Sequence, residues 1–306
     1  MRILNIGSLN LDRTYRVEHF VHAKETIQAL SYEEFCGGKG LNQSAALAKA
    51  GAEVYHAGAV GADGAILLQA LKLSGADISL IQTLEGTASG HAVIQLDLTG
   101  QNSIMIYGGT NQQLNKAYIE KVLKPFGEND VLLLQNEVSE VGFAMELAKS
   151  KGLKIVLNPS PINAQLLAFP LHLVDLFILN EVEGQQLAAC AESEPLKIIE
   201  ALKKRFPETA FVLTLGELGA YYFCKERCFY QEIYPVQAVD TTAAGDTFCG
   251  YYLASIAAEA SIPEALRRAS AASALAVSRK GALPSIPSRE DVAAFLSSRE
   301  NNGGKR

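Results

Sequence analysis

The chain has 306 residues and a formal net charge of −6, from 27 basic and 33 acidic side chains. This acidic balance argues against nucleic acid or an anionic membrane surface as a partner. No apolar stretch approaches the roughly 20 residues that a membrane-spanning helix needs, so we expect a large α/β domain with neither kind of partner.

The cysteines and histidines suggest neither a disulfide framework nor a metal site. The five cysteines are odd in number and scattered, which predicts a reduced, cytoplasmic protein. Cys224 and Cys228 lie four positions apart without a second Cys/His pair, which favours ordinary thiols over zinc ligands. The histidines are interpreted as unclustered, with no Ser-His-Asp set, and are His19, His22, His56, His91 and His172.

The amino terminus predicts a buried strand over residues 3–7, followed by polar residues. The strand resembles the start of a dinucleotide-binding fold, but the G-x-G-x-x-G fingerprint is missing, which argues against a dehydrogenase. Asn10 and Asp12 at the end of this strand are either turn residues or ligands for a polyol.

Two segments alternate between apolar and polar residues, residues 14–35 and residues 89–107. Period-two alternation with a turn at residues 99–102 is typical of antiparallel strands and hairpins. We expect them to form a small antiparallel sheet, a lid built from about 13–35 and 89–110.

A glycine-rich segment, C-G-G-K-G-L-N-Q at residues 36–43, opens a helix of small residues. It is not a Walker P-loop, because the first glycine of that motif and the Ser/Thr after its lysine are both missing. Gly38, Lys39 and Asn42 either hold a polar ligand or form a tight turn with a solvated lysine.

From residue 130 onward strands and helices alternate, which predicts a doubly wound, mostly parallel sheet flanked by helices. Polar residues or glycines follow each strand: Asn136-Glu137, Asn158, Asn180-Glu181 and Gly216. In open α/β sheets the carboxyl ends of strands are where ligands bind, so these positions predict a site at that edge.

A β-like run over residues 229–239 leads into V-D-T-T-A-A-G-D-T at residues 239–247, and a buried helix is predicted over residues 248–258. Small residues before a helix leave its first N–H groups free for an anion. Asp246 at this anion site is either a helix N-cap or a general base for a hydroxyl that attacks a phosphate. Two further helices, over residues 264–280 and 288–299, close the chain.

Three of these motifs together resemble the ribokinase-like (PfkB) family of sugar and nucleoside kinases, and the resemblance runs nearly end to end. They are G-G-K-G-L-N at residues 37–42, N-E-V-E at 180–183 and D-T-T-A-A-G-D-T at 240–247. The resemblance implies one α/β kinase domain over residues 1–306 that pairs with a second copy through its lid. It also implies transfer of phosphate from ATP to the primary hydroxyl of a pentose, with D-ribose first and 2-deoxyribose, fructose or a nucleoside as alternatives.

The resemblance further implies a role for each matching residue. Asp246 would be the catalytic base, with Ala243, Ala244 and Gly245 as the anion hole. The sugar ligands would be Asn10, Asp12, Gly38, Lys39, Asn42 and Glu137. Asn180, Glu183, Thr214, Gly216, Gly219 and Gly245 would bind ATP, with Glu183 acting on Mg²⁺ through water. A K⁺ site would be formed by Asp240, Thr242, Ala276, Arg279, Gly281 and Ser285.

Overall fold

The computed structural model describes the backbone of residues 1–303, so the last three residues of the predicted 1–306 domain lie outside it. Within that range the strands are β1 (Ile3–Ile6), β2 (Asn10–Arg16), β3 (Ser31–Gly37), β4 (Val54–Val60), β5 (Asp77–Thr83), β6 (Gly90–Leu96), β7 (Asn102–Tyr107), β8 (Val131–Gln135), β9 (Lys154–Asn158), β10 (Leu176–Asn180), β11 (Ala210–Thr214), β12 (Ala220–Cys224) and β13 (Arg227–Gln231).

The α-helices of the same range are α1 (Lys39–Lys49), α2 (Ala65–Ser74), α3 (Lys116–Leu123), α4 (Val141–Ser150), α5 (Ala164–Leu167), α6 (Glu181–Ala188), α7 (Pro195–Arg205), α8 (Ala244–Ala257), α9 (Ile262–Val277) and α10 (Arg289–Gly303). Side chains cap the starts of α3, α5, α6 and α9. The Ser261 side chain, for example, accepts the N–H of Glu264, and Pro263 occupies the first turn of α9.

The main sheet has the strand order β13-β12-β11-β10-β9-β8-β1-β4-β5. All its pairs from β11 to β5 are parallel, and only the edge pairs β11–β12 and β12–β13 are antiparallel. The predicted doubly wound, mostly parallel sheet is thereby confirmed. Parallel pairing places the carboxyl ends of β8, β9, β10 and β11 side by side at one edge.

Apolar residues cover both faces of the main sheet, as the continuous apolar run V-L-L-L-Q of β8 requires. Along β1, Ile3 packs into the core under α1, α8 and α9, whereas Leu4 and Ile6 pack into the core under α3, α4 and α7. Two layers of helices therefore hold the sheet rigid, which fixes the positions of the residues that follow its strands.

A separate small sheet has the order β3-β2-β6-β7. The predicted hairpins β2–β3 and β6–β7 are both present and antiparallel, while the central pair β2–β6 is parallel. The predicted alternation over residues 14–35 is interrupted, because residues 17–30 form a loop between β2 and β3. The base of this sheet carries Asn10, Asp12 and Gly37 to the edge of the main sheet.

Two predicted boundaries near the Asp246 segment are wrong. The β-like run over residues 229–239 forms a strand only as far as Gln231, and Pro235, which has no N–H, lies in the irregular segment that follows. The helix predicted from residue 248 begins at Ala244, four residues earlier. The earlier helix start places Ala244, Gly245, Asp246 and Thr247 of the D-T-T-A-A-G-D-T motif in the first turn of α8. Within residues 1–303, no helix combines the length and the apolar character needed to cross a membrane.

Candidate active site

Asp246 lies in the first turn of α8, not at its cap. The cap position is Ala243, in the left-handed conformation with φ 59°, and no side chain caps this helix. The Asp246 carboxylate is buried and accepts hydrogen bonds from the side-chain amides of Asn42, at 3.0 Å, and Gln43, at 2.9 Å. The N-cap interpretation of Asp246 is therefore wrong, because its carboxylate faces α1 rather than its own backbone.

The first turn of α8 offers N–H groups to an anion. Thr247 donates its N–H to the carbonyl of Ala243, and Ala244 donates to Thr241 over a long 3.3 Å. The N–H groups of Gly245 and Asp246 have no acceptor among the described residues. A Cβ on Gly245 would meet nothing within 4 Å, so the space in front of this turn is open. A helix start of this kind suits a phosphate.

The side chain of Lys39 links the two halves of the site. Its pKa is raised first by the negative charge of Asp246 and further by Glu137 and Glu183, against the lowering effect of burial. The charge of Lys39 is therefore felt by three carboxylates that come from distant parts of the chain. The alternative interpretation of Lys39, as a solvated lysine beside a tight turn, is therefore wrong.

The predicted sugar ligands gather at the base of the small sheet. Glu137 accepts a hydrogen bond from the Ser8 hydroxyl at 2.5 Å and from the Lys39 N–H at 3.1 Å. Its pKa is raised, chiefly by burial. Burial, together with the charge of Glu137, also raises the pKa of Asp12 to about 6. Asn10 is held from the side, because its Oδ1 accepts the amide of Asn111 at 2.7 Å.

The Asn42 side chain has one acceptor without a hydrogen-bond partner in the described part of the chain. Its Nδ2 donates to Asp246, whereas its Oδ1 is buried with no hydrogen-bond partner. A buried oxygen without a donor costs about 1–3 kcal/mol, so a hydrogen bond from a ligand hydroxyl to this atom would be stabilising. The glycines before α1 shape the same corner: Gly38 has φ 95°, and a Cβ on Gly37 would overlap the Asp12 carboxylate.

Two adjoining cavities extend from Asp246 along the carboxyl edge of the main sheet. The first, of about 440 Å³, is lined by Lys39, Asn158, Asn180, Glu183 and the Ala243–Asp246 turn, among others. The second, of about 450 Å³, is mostly apolar and is lined in part by Gly219, Tyr234, Val236 and Phe248. Thr214 and Gly216 line both. Asn10, Asp12 and Glu137 line neither, and lie on the small-sheet side of Lys39.

Asn180 and Glu183 form a capping box at the start of α6. The Asn180 side chain accepts the N–H of Glu183 at 2.9 Å, and the Glu183 carboxylate accepts the N–H of Asn180 at 3.0 Å. This reciprocal pair uses only one of the two carboxylate oxygens, and Glu183 also lines the first cavity. Helix capping therefore accounts for the spacing of the N-E-V-E motif, and it aims Glu183 at the same time.

The structure brings part of the predicted K⁺ site together. The Asp240 carboxylate accepts the N–H of Thr242 and that of Gly281, each at 2.9 Å, and so ties the segment before α8 to the loop after α9. Ala276 lies in the last turn of α9, where its carbonyl accepts the N–H of Arg279. Ser285 is buried and donates its hydroxyl to Ala282 at 2.7 Å, whereas the Arg279 guanidinium turns away to Asp291.

The sequence analysis missed a buried amide network behind Asp246. Gln43 Nε2 donates to Asp246 and also to Asn158 at 3.2 Å, while Gln43 Oε1 accepts from Gln135 at 2.6 Å. Gln135 in turn donates to Asn5 at 3.0 Å. The available signal was the placement of Gln43 on a helix of small, buried residues, where a polar side chain needs a partner.

The histidine interpretation is wrong for one pair. His19 and His22 lie together in the loop between β2 and β3, with ring centroids 5.5 Å apart. The sequence could not show this, because the turn that folds the loop back depends on contacts with Glu25. Cys224 and Cys228 are free thiols, as are the other three cysteines.

With this geometry in place, comparison with known proteins is decisive. A family model for pfkB family carbohydrate kinases matches residues 2–289. The chain belongs to the pfkB family of carbohydrate kinases.

Within the pfkB family, the chain is similar to several proteins named ribokinase. The chain is 35% identical over 299 residues to a ribokinase from Haemophilus influenzae, covering 95% of this chain and 97% of that protein. It is 33% identical to a ribokinase from Bacillus subtilis, with 95% and 98% covered. The structure of Arabidopsis thaliana ribokinase complexed with ribose and ATP matches with a TM-score of 0.86 at 30% identity, covering 96% of this chain and 98% of that one.

Proposed function

We propose that this pfkB-family protein transfers the γ-phosphoryl group of ATP to the primary hydroxyl of a pentose, and that it converts D-ribose to D-ribose 5-phosphate. The relatives named ribokinase and the Arabidopsis complex with ribose and ATP support this choice of substrates. One observation carries the proposal: the buried Asp246 carboxylate adjoins the open first turn of α8, where the N–H groups of Gly245 and Asp246 have no acceptor among the described residues.

Asp246 acts as general base in this proposal. An alcohol is a weak nucleophile at neutral pH, and removal of its proton as the new bond forms contributes roughly 10²–10⁴-fold to the rate. The sugar O5 forms a bond to the γ-phosphorus, the bond from that phosphorus to the β,γ-bridging oxygen breaks, and ADP leaves. The hydroxyl proton passes to Asp246, which the amides of Asn42 and Gln43 hold in place.

The first turn of α8 stabilises the transferring group. Its negative charge is spread over three oxygens, which the N–H groups of Gly245 and Asp246 and the helix dipole can meet. The left-handed Ala243 allows the chain to enter the helix with these N–H groups exposed. Lys39 adds a positive charge at the same cavity and offsets the repulsion that Asp246 would exert on a phosphate.

The sugar is held between the small sheet and α1. Asp12 and Glu137 suit a neutral polyol, because a carboxylate can accept hydrogen bonds from sugar hydroxyls, and the unpaired Oδ1 of Asn42 adds an acceptor. Asn10 and the Gly38–Lys39 backbone complete the set of residues around the sugar. The same carboxylates would repel a sugar phosphate, so a sugar that already carries a phosphate ranks lower as the substrate. The small sheet would act as a lid over the bound sugar and exclude water from it.

ATP fits along the two cavities, with its phosphates near Lys39, Asn180 and Glu183 and its base in the apolar second cavity. Thr214, Gly216 and Gly219 would line the nucleotide. The free oxygen of Glu183 fits Mg²⁺ held through water, since Mg²⁺ prefers oxygen ligands and keeps several waters. When bound, Mg²⁺ neutralises charge that develops on the phosphate oxygens.

A monovalent cation fits beside Asp240. The donors there are a carboxylate, a buried hydroxyl at Ser285 and loop carbonyls, which are hard oxygen ligands that suit K⁺. Thr242, Ala276, Arg279 and Gly281 would supply carbonyls. Asp240 precedes the anion turn by only three residues, so an ion there would stiffen the segment that presents Ala243 and Gly245.

We also propose a homodimer, paired through the small sheet, and a cytoplasmic location. The edge strand β7 is exposed along its whole length, with Ile104 52%, Met105 68% and Ile106 66% exposed. An apolar edge strand of this kind normally needs a cover, which a second copy can supply. Unpaired thiols at all five cysteines support the reduced compartment.

A panel of acceptors tests the proposed substrate. ADP release would be measured with D-ribose, 2-deoxyribose, fructose and a nucleoside, and the phosphorylated position would be assigned by NMR. We expect the highest kcat/KM for D-ribose and phosphate at O5. A higher kcat/KM for another neutral acceptor would replace ribose with that substrate, and no ADP release with any acceptor would overturn the proposal.

A further inference from the structure

The loop between β2 and β3 gathers two imidazoles and a carboxylate on the surface of the small sheet. His19 Nε2 lies 2.9 Å from Glu25 Oε1, and His22 Nδ1 lies 3.4 Å from Glu25 Oε2. One ligand atom from each residue falls within 4.8 Å of the other two. Within the part of the chain that the structure describes, no other three His, Cys, Asp or Glu residues approach this closely.

The spacing of these atoms matches a tetrahedral metal site. Around Zn²⁺, ligand atoms at about 2.1 Å from the ion lie about 3.4 Å from one another. The separation of 3.4 Å between His22 Nδ1 and Glu25 Oε2 equals that value, and the separation of 2.9 Å between His19 Nε2 and Glu25 Oε1, a hydrogen bond, is shorter. Two imidazole nitrogens and one carboxylate oxygen are also a donor set that Zn²⁺ accepts, with the fourth position left to water.

The loop holds these side chains in place without an ion. Glu25 donates its N–H to the carbonyl of His22 at 3.1 Å, and its carboxylate accepts the N–H of His22 at 2.8 Å. Lys24, in the left-handed conformation with φ 70°, closes this turn. Val21 anchors the loop to β6, because its N–H donates to the Gln95 side chain at 3.0 Å. Binding would replace the hydrogen bond between His19 and Glu25 with bonds to the ion, on a backbone turn that is already formed.

We propose that His19, His22 and Glu25 bind a divalent transition-metal ion of the Zn²⁺ class. Each oxygen of the Glu25 carboxylate lies next to one imidazole, Oε1 next to His19 and Oε2 next to His22. The site lies in the β2–β3 loop of the small sheet, outside the phosphoryl-transfer site, and does not depend on the proposed sugar. An ion there would fasten the loop between two strands of the small sheet.

Calorimetry on the full-length, untagged protein tests the site, with Zn²⁺ added in the presence of excess Mg²⁺ to occupy hard-oxygen sites. The background carries Cys228→Ser, because the exposed Cys228 thiol would compete for Zn²⁺. We expect one Zn²⁺ per chain, and Co²⁺ in its place should give visible bands without a thiolate charge-transfer band. His19→Asn and Glu25→Gln should each weaken binding at least about tenfold.

His172→Asn is the matched control, since His172 is another exposed histidine outside the cluster. It should leave Zn²⁺ affinity unchanged, and the thermal unfolding of all variants without metal should be the same. Absence of Zn²⁺ binding would mean that the cluster is a hydrogen-bonded turn and not a metal site. Zn²⁺ binding that survives both His19→Asn and Glu25→Gln would place the ion elsewhere. Either result overturns the proposal.

Discussion

The Gln43 amide donates to the Asp246 carboxylate over 2.9 Å, between residues 203 positions apart in the chain. Gln43 Oε1 accepts from Gln135 at 2.6 Å, which fixes the amide so that its NH₂ faces Asp246. The proposed base is thus oriented by a side chain that is itself held from behind. Gln43 is a positioning residue in this account, not a group that touches the sugar.

Gln43→Glu should disturb this arrangement selectively. Two carboxylates about 3 Å apart cannot both ionise freely, so one of them takes a proton at neutral pH. We expect kcat at pH 7 to fall at least about tenfold, with partial recovery at higher pH. The measurement is kcat as a function of pH. Gln165→Glu, at an exposed position, is the control, and an unshifted acid limb for Gln43→Glu would contradict the positioning role.

Asp12 should make sugar binding sensitive to acid. Burial and the nearby charge of Glu137 raise its pKa to about 6, and only the carboxylate form can accept a hydrogen bond at both of its oxygens. We expect the KM for the sugar to rise as pH falls through about 6, while kcat changes less. A KM that stays flat between pH 5 and pH 8 would remove Asp12 from the sugar site.

Asp12 should also cost stability in the ligand-free protein. Its pKa is raised above the ordinary 3.8 on folding, so its favourable contribution is present below about pH 4 and is lost as pH rises through about 6. Asp12→Asn should therefore raise the free energy of unfolding at pH 8, by at most about 3 kcal/mol, and change it little at pH 4. Thermal unfolding at the two pH values measures this, and equal effects at both would contradict it.

The K⁺ site predicts a dependence on the monovalent cation. Replacing K⁺ with Na⁺ should slow the wild-type enzyme severalfold, because the smaller ion fits a cage of several oxygens less well. Asp240→Asn should abolish the difference between the two ions, since it removes the only carboxylate of the set. Asp291→Asn, which alters the partner of Arg279 instead, should keep it. Equal wild-type rates in K⁺ and Na⁺ would retire the site.

Local sequence rules were sufficient for the residues that end the parallel strands. Glu137, Asn158, Asn180 and Gly216 were placed at one edge from the pattern of strand followed by polar residue, and the adjacent parallel pairs β8–β9, β9–β10 and β10–β11 put them there. The alternating segments likewise predicted the two hairpins of the small sheet. In each case the residues that indicate the strand or hairpin are the residues that form it, or lie within a few positions of them.

Contacts between distant segments could not be predicted in this way. Nothing near Gln43 indicates Asp246, and nothing near Asn10 indicates Asn111, because each pairing depends on how helices and sheets pack. The irregular segment after Gln231 has a β-like composition, yet Ile233, Tyr234 and Val236 line a cavity instead of extending the strand. The pairing of His19 with His22 is local instead: it depends on the turn that Glu25 and the left-handed Lys24 close, which the apolar and polar alternation did not indicate.

The most direct test of the central claim is the turnover of Asp246→Asn. An asparagine keeps the size of the side chain and can still accept one amide hydrogen bond, but it cannot take the hydroxyl proton. We predict that kcat falls at least ~10²-fold while the calorimetric affinity for D-ribose is largely retained, with Asp77→Asn at an exposed site as control. Near-normal kcat in Asp246→Asn would contradict the account.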